Sequence, residues 1–177
     1  IVIFAGDICT YGTIAEIRKF DRFLAQLEHP YKIVIAGNHD FPFQDEHDVA
    51  KAGLRHGIYL QDSGIEIEGL KIYGSPWQPW FCDWAFNLQR GEEIKQKWDL
   101  IPNDTDILVT HGPPFGILDW VGRQHQGCEE LLQAIHRVTP TYHIFGHIHE
   151  GYGRCTHDQT IFINASICNE RYQPINR

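Results

Sequence analysis

Four short turns in this sequence carry side chains that can bind metal ions. Each turn combines glycine with aspartate, asparagine or histidine, and each directly follows a run of apolar residues. The turns are Gly6-Asp7, Gly37-Asn38-His39-Asp40, His111-Gly112 and Gly146-His147-Ile148-His149. Carboxylate, amide oxygen and imidazole ligands together suit cations such as Mn, Fe or Zn better than metals that prefer thiolate. The residue types therefore predict a metal centre.

Each turn taken alone has a more common structural explanation. Asp7 after a glycine is typical of a turn or a helix cap, and residues 38–40 could form an Asx-turn. His111 alone could be a hydrogen-bonded loop histidine. His147 and His149 indicate a metal more strongly, because positions i and i+2 of an extended chain share a face. Four such turns, all at strand ends, favour the metal interpretation.

The elements that must position these turns are buried strands. Residues 1–5 are a short continuous apolar run, and 32–36, 106–110 and 141–145 are similar short segments that are mostly apolar. Such runs are typical of parallel strands that are covered on both faces. In α/β sheets, ligands bind outside the carboxyl ends of the strands. We therefore expect the sheets to bring the four turns to one edge.

The segments between these strands predict an α/β chain. Thr13 and Glu16 form a capping-box pattern, and apolar residues follow at helical spacing. Further elements are expected as helices at 46–56, 91–98 and 129–138, strands at 58–60 and 160–164, and a hairpin turning at Glu68-Gly69. Residues 74–90 are aromatic and irregular and predict a packed loop or lid. Without a visible linker or repeat, residues 1–177 are expected to form a single domain.

Composition excludes several classes of protein. The formal net charge of −8 argues against a nucleic-acid binder that works through an extended basic surface. No apolar run approaches the roughly 18 residues that a membrane helix needs, and no signal peptide is visible. The five cysteines are odd in number and widely spaced, which predicts reduced thiols. We therefore expect a cytoplasmic protein that does not bind a membrane.

The four turns together resemble the signature of the calcineurin-like metallophosphoesterases, which reads D-x-H, GD, GNH[DE], H and GHxH. The segments LVTHGPP, GCEELLQAI, FGHIHEGYG and INASICNERYQP are similar to the subgroup of metallophosphoesterase domain-containing proteins, and so is the aromatic stretch YGSPWQPWF. The resemblance covers nearly the whole chain. It implies an αββα sandwich, that is, two mixed β-sheets flanked by helices.

The resemblance also implies roles for the candidate metal ligands. Asp7 would bridge two divalent metal ions, for which Mn²⁺ is expected and Fe or Zn is an alternative. Asn38, His111 and His147 would complete the second metal site, and His149 would bind the first. A dinuclear centre of this kind holds phosphate oxygens and activates a bridging hydroxide for in-line attack.

Other residues are candidates for contacts with the substrate. By resemblance, Asn38 and His39 would contact the phosphate, and His39 would protonate the leaving oxygen, with Asp40 as a candidate to orient its ring. Arg90 and Arg123 could hold a phosphate group, although such arginines are more often surface charges. The aromatic residues of 74–90, among them Trp84, could stack on a base or simply pack as a lid.

One part of the family signature is not visible in this sequence. The D-x-H motif would lie on a strand before that of Asp7, but nothing precedes Ile1, and methionine is absent throughout. We therefore expect the chain to be N-terminally incomplete and the first strand to be missing. Without that motif, the first metal retains only Asp7 and His149 as visible ligands.

The resemblance implies a metal-dependent phosphoesterase, and more specifically a phosphodiesterase acting on a small phosphoester such as a cyclic nucleotide. The alternative is a nucleotide-binding regulatory module with little or no turnover, because some members of the subgroup have lost a histidine of the last motif. Both His147 and His149 are present here. Their presence favours an active enzyme.

Overall fold

The computed structural model describes residues 1–176, which form two main β-sheets with helices on their outer surfaces and two further pairs of short strands. The strands are β1 (Val2–Ala5), β2 (Lys32–Ile35), β3 (Ile58–Tyr59), β4 (Ser63–Ile67), β5 (Leu70–Ser75), β6 (Gln78–Pro79), β7 (Asn87–Leu88), β8 (Ile107–Thr110), β9 (Trp120–Val121), β10 (Gln124–His125), β11 (Tyr142–Phe145), β12 (Gly153–His157) and β13 (Thr160–Asn164). The helices are α1 (Ile14–Leu24), α2 (Phe41–Asp45), α3 (His47–Gly53), α4 (Glu92–Trp98) and α5 (Glu129–Val138), with a 3-10 turn at His149–Gly151.

The two sheets differ in size and in strand direction. The smaller sheet has the order β1-β2-β3, and its strands are all parallel. The larger sheet has the order β12-β13-β11-β8-β5-β4. Its four inner strands are parallel, and its edge strands β12 and β4 run antiparallel to their neighbours. The mixed strand direction therefore lies in the larger sheet.

Alternate residues of the strands fill three apolar layers. Ile33 and Ile35 of β2 pack toward the larger sheet with Ile72 and Val109, whereas Val34 packs outward beneath α1–α3. On the far side of the larger sheet, a third cluster packs beneath α4 and α5. Since successive side chains of a strand point to opposite faces, runs that are apolar throughout can be covered on both faces only in such a layered fold. The expected αββα sandwich is confirmed.

Several local predictions are confirmed by the structure. Thr13 and Glu16 form the expected capping box, in which the Thr13 side chain accepts from the Glu16 amide and the Glu16 side chain accepts from the Thr13 amide. The hairpin between β4 and β5 turns at Glu68 and Gly69, which both have positive φ. All five cysteines are free. No helix within residues 1–176 is long and apolar enough to cross a membrane.

Other elements differ from the sequence-based expectation. The helix expected at 46–56 is shorter and corresponds to α3. The short helix α2 precedes it and was not expected, and Glu46 between the two has a non-helical backbone conformation. The aromatic stretch 74–90 contains a parallel pair, β6 and β7. Strand β12 and the hairpin of β9 and β10 were not expected. Such short or exposed strands carry little hydrophobic periodicity, so the sequence offers no signal for them.

A buried histidine in β11 makes the stability of this fold sensitive to acid. Burial lowers the pKa of His143 to about 3. Its Nε2 atom donates to the Thr110 hydroxyl at 2.7 Å, and that hydroxyl donates to the carbonyl oxygen of Gly112. An unfolded histidine titrates near pH 6.5. Between about pH 3 and pH 6.5, the unfolded chain therefore binds a proton that the folded chain excludes, and stability rises with pH across this window.

We expect His143→Gln to flatten the pH dependence of the free energy of unfolding. Between about pH 6.5 and pH 4.5, the wild-type value should fall more steeply than that of the variant, by up to about 1.4 kcal/mol per pH unit. Urea unfolding in the presence of EDTA, repeated across this range, measures the difference. Parallel pH profiles for the two proteins would contradict this account of His143.

Candidate metal centre

The four turns predicted from the sequence meet at one edge of the sandwich. A carboxylate oxygen of Asp7 and one ring nitrogen each of His111 and His147 lie within 4.8 Å of one another. Strands β1 and β2 are parallel neighbours in the smaller sheet, and β8 and β11 are parallel neighbours in the larger sheet. The turns of each pair therefore leave their sheet at the same end. Packing of the two sheets then brings the two pairs together.

Asn38 completes the cluster. Its Oδ1 atom lies 2.7 Å from Nε2 of His111, and that nitrogen lies 3.5 Å from Oδ1 of Asp7. Ligand atoms that share one cation at bond lengths of about 2.1 Å lie roughly 3.0–3.4 Å apart. The two separations lie just below and just above this range, so small movements of the side chains would allow all three to bind one metal ion.

The hydrogen bonding of Asn38 and His111 also fits a cation. Nδ1 of His111 lies 2.9 Å from the carbonyl oxygen of Ala5, which can only accept, so Nδ1 carries the proton. In the neutral ring, Nε2 is then an acceptor that faces the acceptor Oδ1 of Asn38, while the amide nitrogen of Asn38 is buried without a hydrogen-bond partner. A cation bound by both atoms would remove the repulsion between them. In a chain without an ion, rotation of the amide would also relieve the contact.

Backbone strain is concentrated at two of the candidate ligands. Asp7 has a φ of 55° and His147 a φ of 68°, both in the left-handed region. Such conformations cost on the order of 1 kcal/mol or more outside glycine and cluster at functional sites. The chain at 147–149 is therefore not extended as the sequence analysis assumed, and His149 opens a 3-10 turn. The expectation that His147 and His149 share one face of an extended chain is therefore wrong.

Two glycines allow the ligands to approach each other. A Cβ atom at Gly37 would lie 2.5 Å from Oδ1 of Asp7 and 2.5 Å from Cε1 of His111. A Cβ atom at Gly6, which has a φ of 92°, would lie 2.5 Å from Nδ1 of His111. Neither contact is tolerable for a side chain. Both positions therefore require glycine because there is no room for a side chain, and Gly6 also requires it for its backbone conformation.

The protonation state of His147 suits a metal ligand. Burial lowers the pKa of His147 to about 3, and the nearby His111 contributes in the same direction. Metal binding requires a neutral imidazole. Near neutral pH, His147 therefore has no proton to lose before it binds a cation.

Asp40 braces the backbone of the site instead of orienting the ring of His39. Its carboxylate accepts from the backbone amides of Cys9 at 2.8 Å and Gly37 at 2.7 Å, and more weakly from Ile8 at 3.3 Å. Burial, followed by the charge of Asp7, raises the pKa of Asp40 to about 6. The carboxylate ties the turn after β1 to the turn after β2.

His39 lies beside the cluster and is held by two contacts. Its backbone amide donates to Oδ1 of Asp7 at 3.0 Å. Its ring nitrogen Nδ1 lies 3.2 Å from the carbonyl oxygen of Thr10 and therefore donates to it. The other ring nitrogen, Nε2, is left for a ligand. The half-buried imidazole can thus exchange a proton with a molecule bound at the cluster.

Comparison with known proteins identifies the family. The model of the family described as "Calcineurin-like phosphoesterase" matches residues 1–151. The chain belongs to this family. Metallophosphoesterase domain-containing protein 1 of Homo sapiens is 45% identical over 202 residues, which cover 99% of this chain and 62% of that protein. The UPF0046 protein T07D4.2 of Caenorhabditis elegans is 41% identical over 201 residues, covering 96% of this chain and 51% of that protein.

A solved crystal structure shares the fold of this family member. The two chains superpose with a TM-score of 0.68 at 20% sequence identity. The superposition covers 86% of this chain and 63% of the chain in the crystal structure. At that identity, the similarity concerns the fold alone. The chain spans between half and two thirds of the length of the two curated relatives. Calcineurin-like phosphoesterases in general depend on divalent metals, and the cluster described above offers ligands of the types that such metals use.

Three predicted residues lie outside the immediate cluster of this calcineurin-like phosphoesterase. His149 is close enough to influence the charge of His147, and its ring centre lies 5.6 Å from that of Tyr172. Arg123 is exposed at the turn between β9 and β10, and β9 contacts the 3-10 turn that begins at His149. Arg90 instead donates to the carbonyl oxygens of Gln126 and Gly127.

Aromatic side chains surround the histidines, and one of them was missed by the sequence analysis. Trp84 lies 4.4 Å from His39 between ring centres, and Phe81 lies 6.1 Å from His147. Tyr172, in the polar tail after β13, lies 6.1 Å from His39. An isolated tyrosine in a polar tail carries no sequence signal for such a position. By contrast, Trp77 donates to Asp62 and lies beneath Lys97, so it has a structural role.

Proposed function

We propose that this chain is a metal-dependent phosphoesterase, and more specifically a phosphodiesterase that hydrolyses a small phosphoester such as a cyclic nucleotide. The observation that carries the proposal is the convergence of four ligand-type side chains from four turns, with His39 beside them. The four are Asp7, Asn38, His111 and His147. Membership of the calcineurin-like phosphoesterase family supports the reaction class.

The proposed centre holds two divalent cations, with Mn²⁺ as the first choice. A donor set of carboxylate, amide oxygen and imidazole suits Mn, Fe or Zn. Asp7 would be shared between the ions, Asn38, His111 and His147 would hold one of them, and His149 would bind the other. Cations at such a site polarise phosphoryl oxygens and acidify water.

His39 is proposed as the general acid. In its imidazolium form, Nδ1–H donates to the carbonyl oxygen of Thr10, which leaves the Nε2 proton to face the substrate. As the bond between phosphorus and the leaving oxygen breaks, that oxygen takes the Nε2 proton and the ring becomes neutral. Because the backbone amide of His39 is bound to Asp7, the acid stays close to the metal ligands.

The nucleotide part of the proposal rests on the family resemblance and on the aromatic side chains beside the site. The subgroup resemblance suggests a nucleotide, and Phe81 and Trp84 offer aromatic surface close to His147 and His39. Arg123 is proposed to contact the phosphate together with Asn38, because its hairpin contacts the segment that carries His149.

We expect metal-dependent hydrolysis of bis-p-nitrophenyl phosphate and of 3′,5′-cyclic AMP. EDTA-stripped protein should be inactive, and Mn²⁺ should restore activity. His39→Ala should lower kcat for 3′,5′-cyclic AMP, whose leaving group is an alkoxide that must be protonated, by about 10²–10⁴-fold, the usual contribution of a positioned acid or base. Mn²⁺ affinity should remain within a few-fold of wild type, since the His39 ring is not a proposed ligand. Calorimetric Mn²⁺ titration provides this control.

Two other results would redirect the proposal. An unchanged kcat for His39→Ala would remove the acid from the mechanism while leaving the metal centre in place. Tight binding of a purine mononucleotide without any metal-stimulated turnover would instead identify the regulatory module named above.

A further inference from the structure

The tail after β13 forms a closed loop, residues 166–176, which we call the C-terminal loop. Asn169 is its hub: the side-chain oxygen accepts from the amides of Arg171 at 2.9 Å and Gln173 at 3.0 Å. The Tyr172 amide donates to the carbonyl oxygen of Asn169 at 2.8 Å. Tyr172 has a φ of 56°, a strained conformation for a bulky residue. These hydrogen bonds fix the backbone at the tip of the loop, where Tyr172 lies.

The C-terminal loop is anchored at the edge of the metal centre. Asn176 closes it by donating through its side-chain amide to the carbonyl oxygen of Ser166 at 2.8 Å. Ser166 is buried, and its amide donates to the Asn164 side chain at the end of β13. The Ser166 hydroxyl has no hydrogen-bond partner among residues 1–176, and it lies 3.7 Å from where a Cβ of Gly146 would stand. The root of the loop therefore lies against the turn that carries His147.

The tip of the loop faces the histidines of the site. The Tyr172 ring is 6.1 Å from that of His39 and 5.6 Å from that of His149, and both contacts are edge-on. The Tyr172 side chain is 61% exposed, so a ligand can reach it. A ring this exposed adds little to the core. It is placed instead beside His39, where it could contact a bound ligand.

A second aromatic surface lies against His39. The Trp84 ring is 4.4 Å from His39, and Phe81 packs edge-on against Trp84 at 5.8 Å. Phe81 is 52% exposed. His39 is therefore contacted by Trp84 and by Tyr172, two rings from segments far apart in sequence. Flat aromatic groups bind to such surfaces by stacking or edge-on contact, and aliphatic groups gain less.

We propose that Tyr172 is a specificity-determining residue, which forms one wall of the substrate cleft and favours phosphoesters that carry a flat aromatic group. The inference rests on the proposed function, since it takes the phosphate to bind at the metal centre. The contact would be made by the ring and not by the hydroxyl. Tyr172→Phe and Tyr172→Ala separate these two possibilities.

The test compares two ligands that differ only in the aromatic group. Adenosine 5′-monophosphate and ribose 5-phosphate share the phosphate and the sugar. We expect Mn²⁺-loaded wild-type protein to bind the first more tightly in calorimetry. Tyr172→Ala should weaken this ligand by about tenfold, in keeping with the loss of one aromatic contact to a base, and should leave ribose 5-phosphate unchanged. Tyr172→Phe should resemble wild type.

The control variant is Tyr142→Ala, at the opposite end of β11 from the site. It should bind both ligands as wild type does. An unchanged preference in Tyr172→Ala would overturn the proposal, as would equal losses for both ligands in Tyr172→Ala and Tyr172→Phe, which would assign the hydroxyl to the phosphate. If metal-loaded wild type bound neither ligand nor inorganic phosphate, the proposed function would fail along with the inference.

Discussion

Replacing His111 with alanine is expected to abolish both metal binding and metal-dependent hydrolysis. Nε2 of this buried ring lies 2.7 Å from Asn38 and 3.5 Å from Asp7, so it is the group that joins the candidate ligands of the two sheets. Loss of a residue that merely orients a ligand weakens metal binding by 10–100-fold. Loss of the ligand itself should exceed about 100-fold. Mn²⁺ affinity from calorimetry and kcat/KM for bis-p-nitrophenyl phosphate measure the two effects.

A matched variant shows whether the effect is specific to His111 or follows from the loss of any histidine. His157→Ala removes an exposed ring at the far end of β12, where that strand pairs with Thr160. This variant should keep wild-type affinity and activity. His111→Gln retains bulk at the buried position and should be as inactive as His111→Ala while keeping a native circular dichroism spectrum. Wild-type Mn²⁺ affinity in a folded His111 variant would rule out the proposed centre.

Replacing Gly37 with alanine is expected to disrupt the centre without removing any ligand. The new Cβ would lie 2.5 Å from both Oδ1 of Asp7 and Cε1 of His111, so one of these side chains must move. A displacement of about 1 Å in such a site can cost about 100-fold in rate. We therefore expect Mn²⁺ affinity and kcat/KM to fall together, each by about that factor.

Gly112→Ala is the corresponding control. This glycine directly follows His111, but a Cβ here would lie 4.0 Å from its nearest neighbours, Gln78 and His147, which is ordinary van der Waals contact. Near-wild-type activity in Gly112→Ala and loss in Gly37→Ala would locate the effect in the approach of Asp7 and His111. If both variants were fully active, the close packing described here would be incorrect.

Local chemistry made much of the fold and of the candidate site predictable. Thr13 with Glu16 predicted the start of α1, and Glu68-Gly69 predicted the turn of a hairpin. Runs such as 33–36, which are apolar at every position, required sheets covered on both faces, and thus a layered α/β fold. The turns that follow these runs could be recognised because glycine beside Asp, Asn and His is uncommon as a repeated strand-end pattern.

The residue types at the ends of the strands could be predicted, because strand and turn preferences act between near neighbours in the chain. Which of these residues meet depends on the packing of distant segments. Asp7 and His111 come from different sheets, and their approach depends on how those sheets pack and on the bare backbone of Gly37. The sequence also could not predict that Asp40 accepts hydrogen bonds from backbone amides, or that Tyr172 lies against His39. Contacts between residues more than a hundred positions apart depend on packing, which no local pattern records.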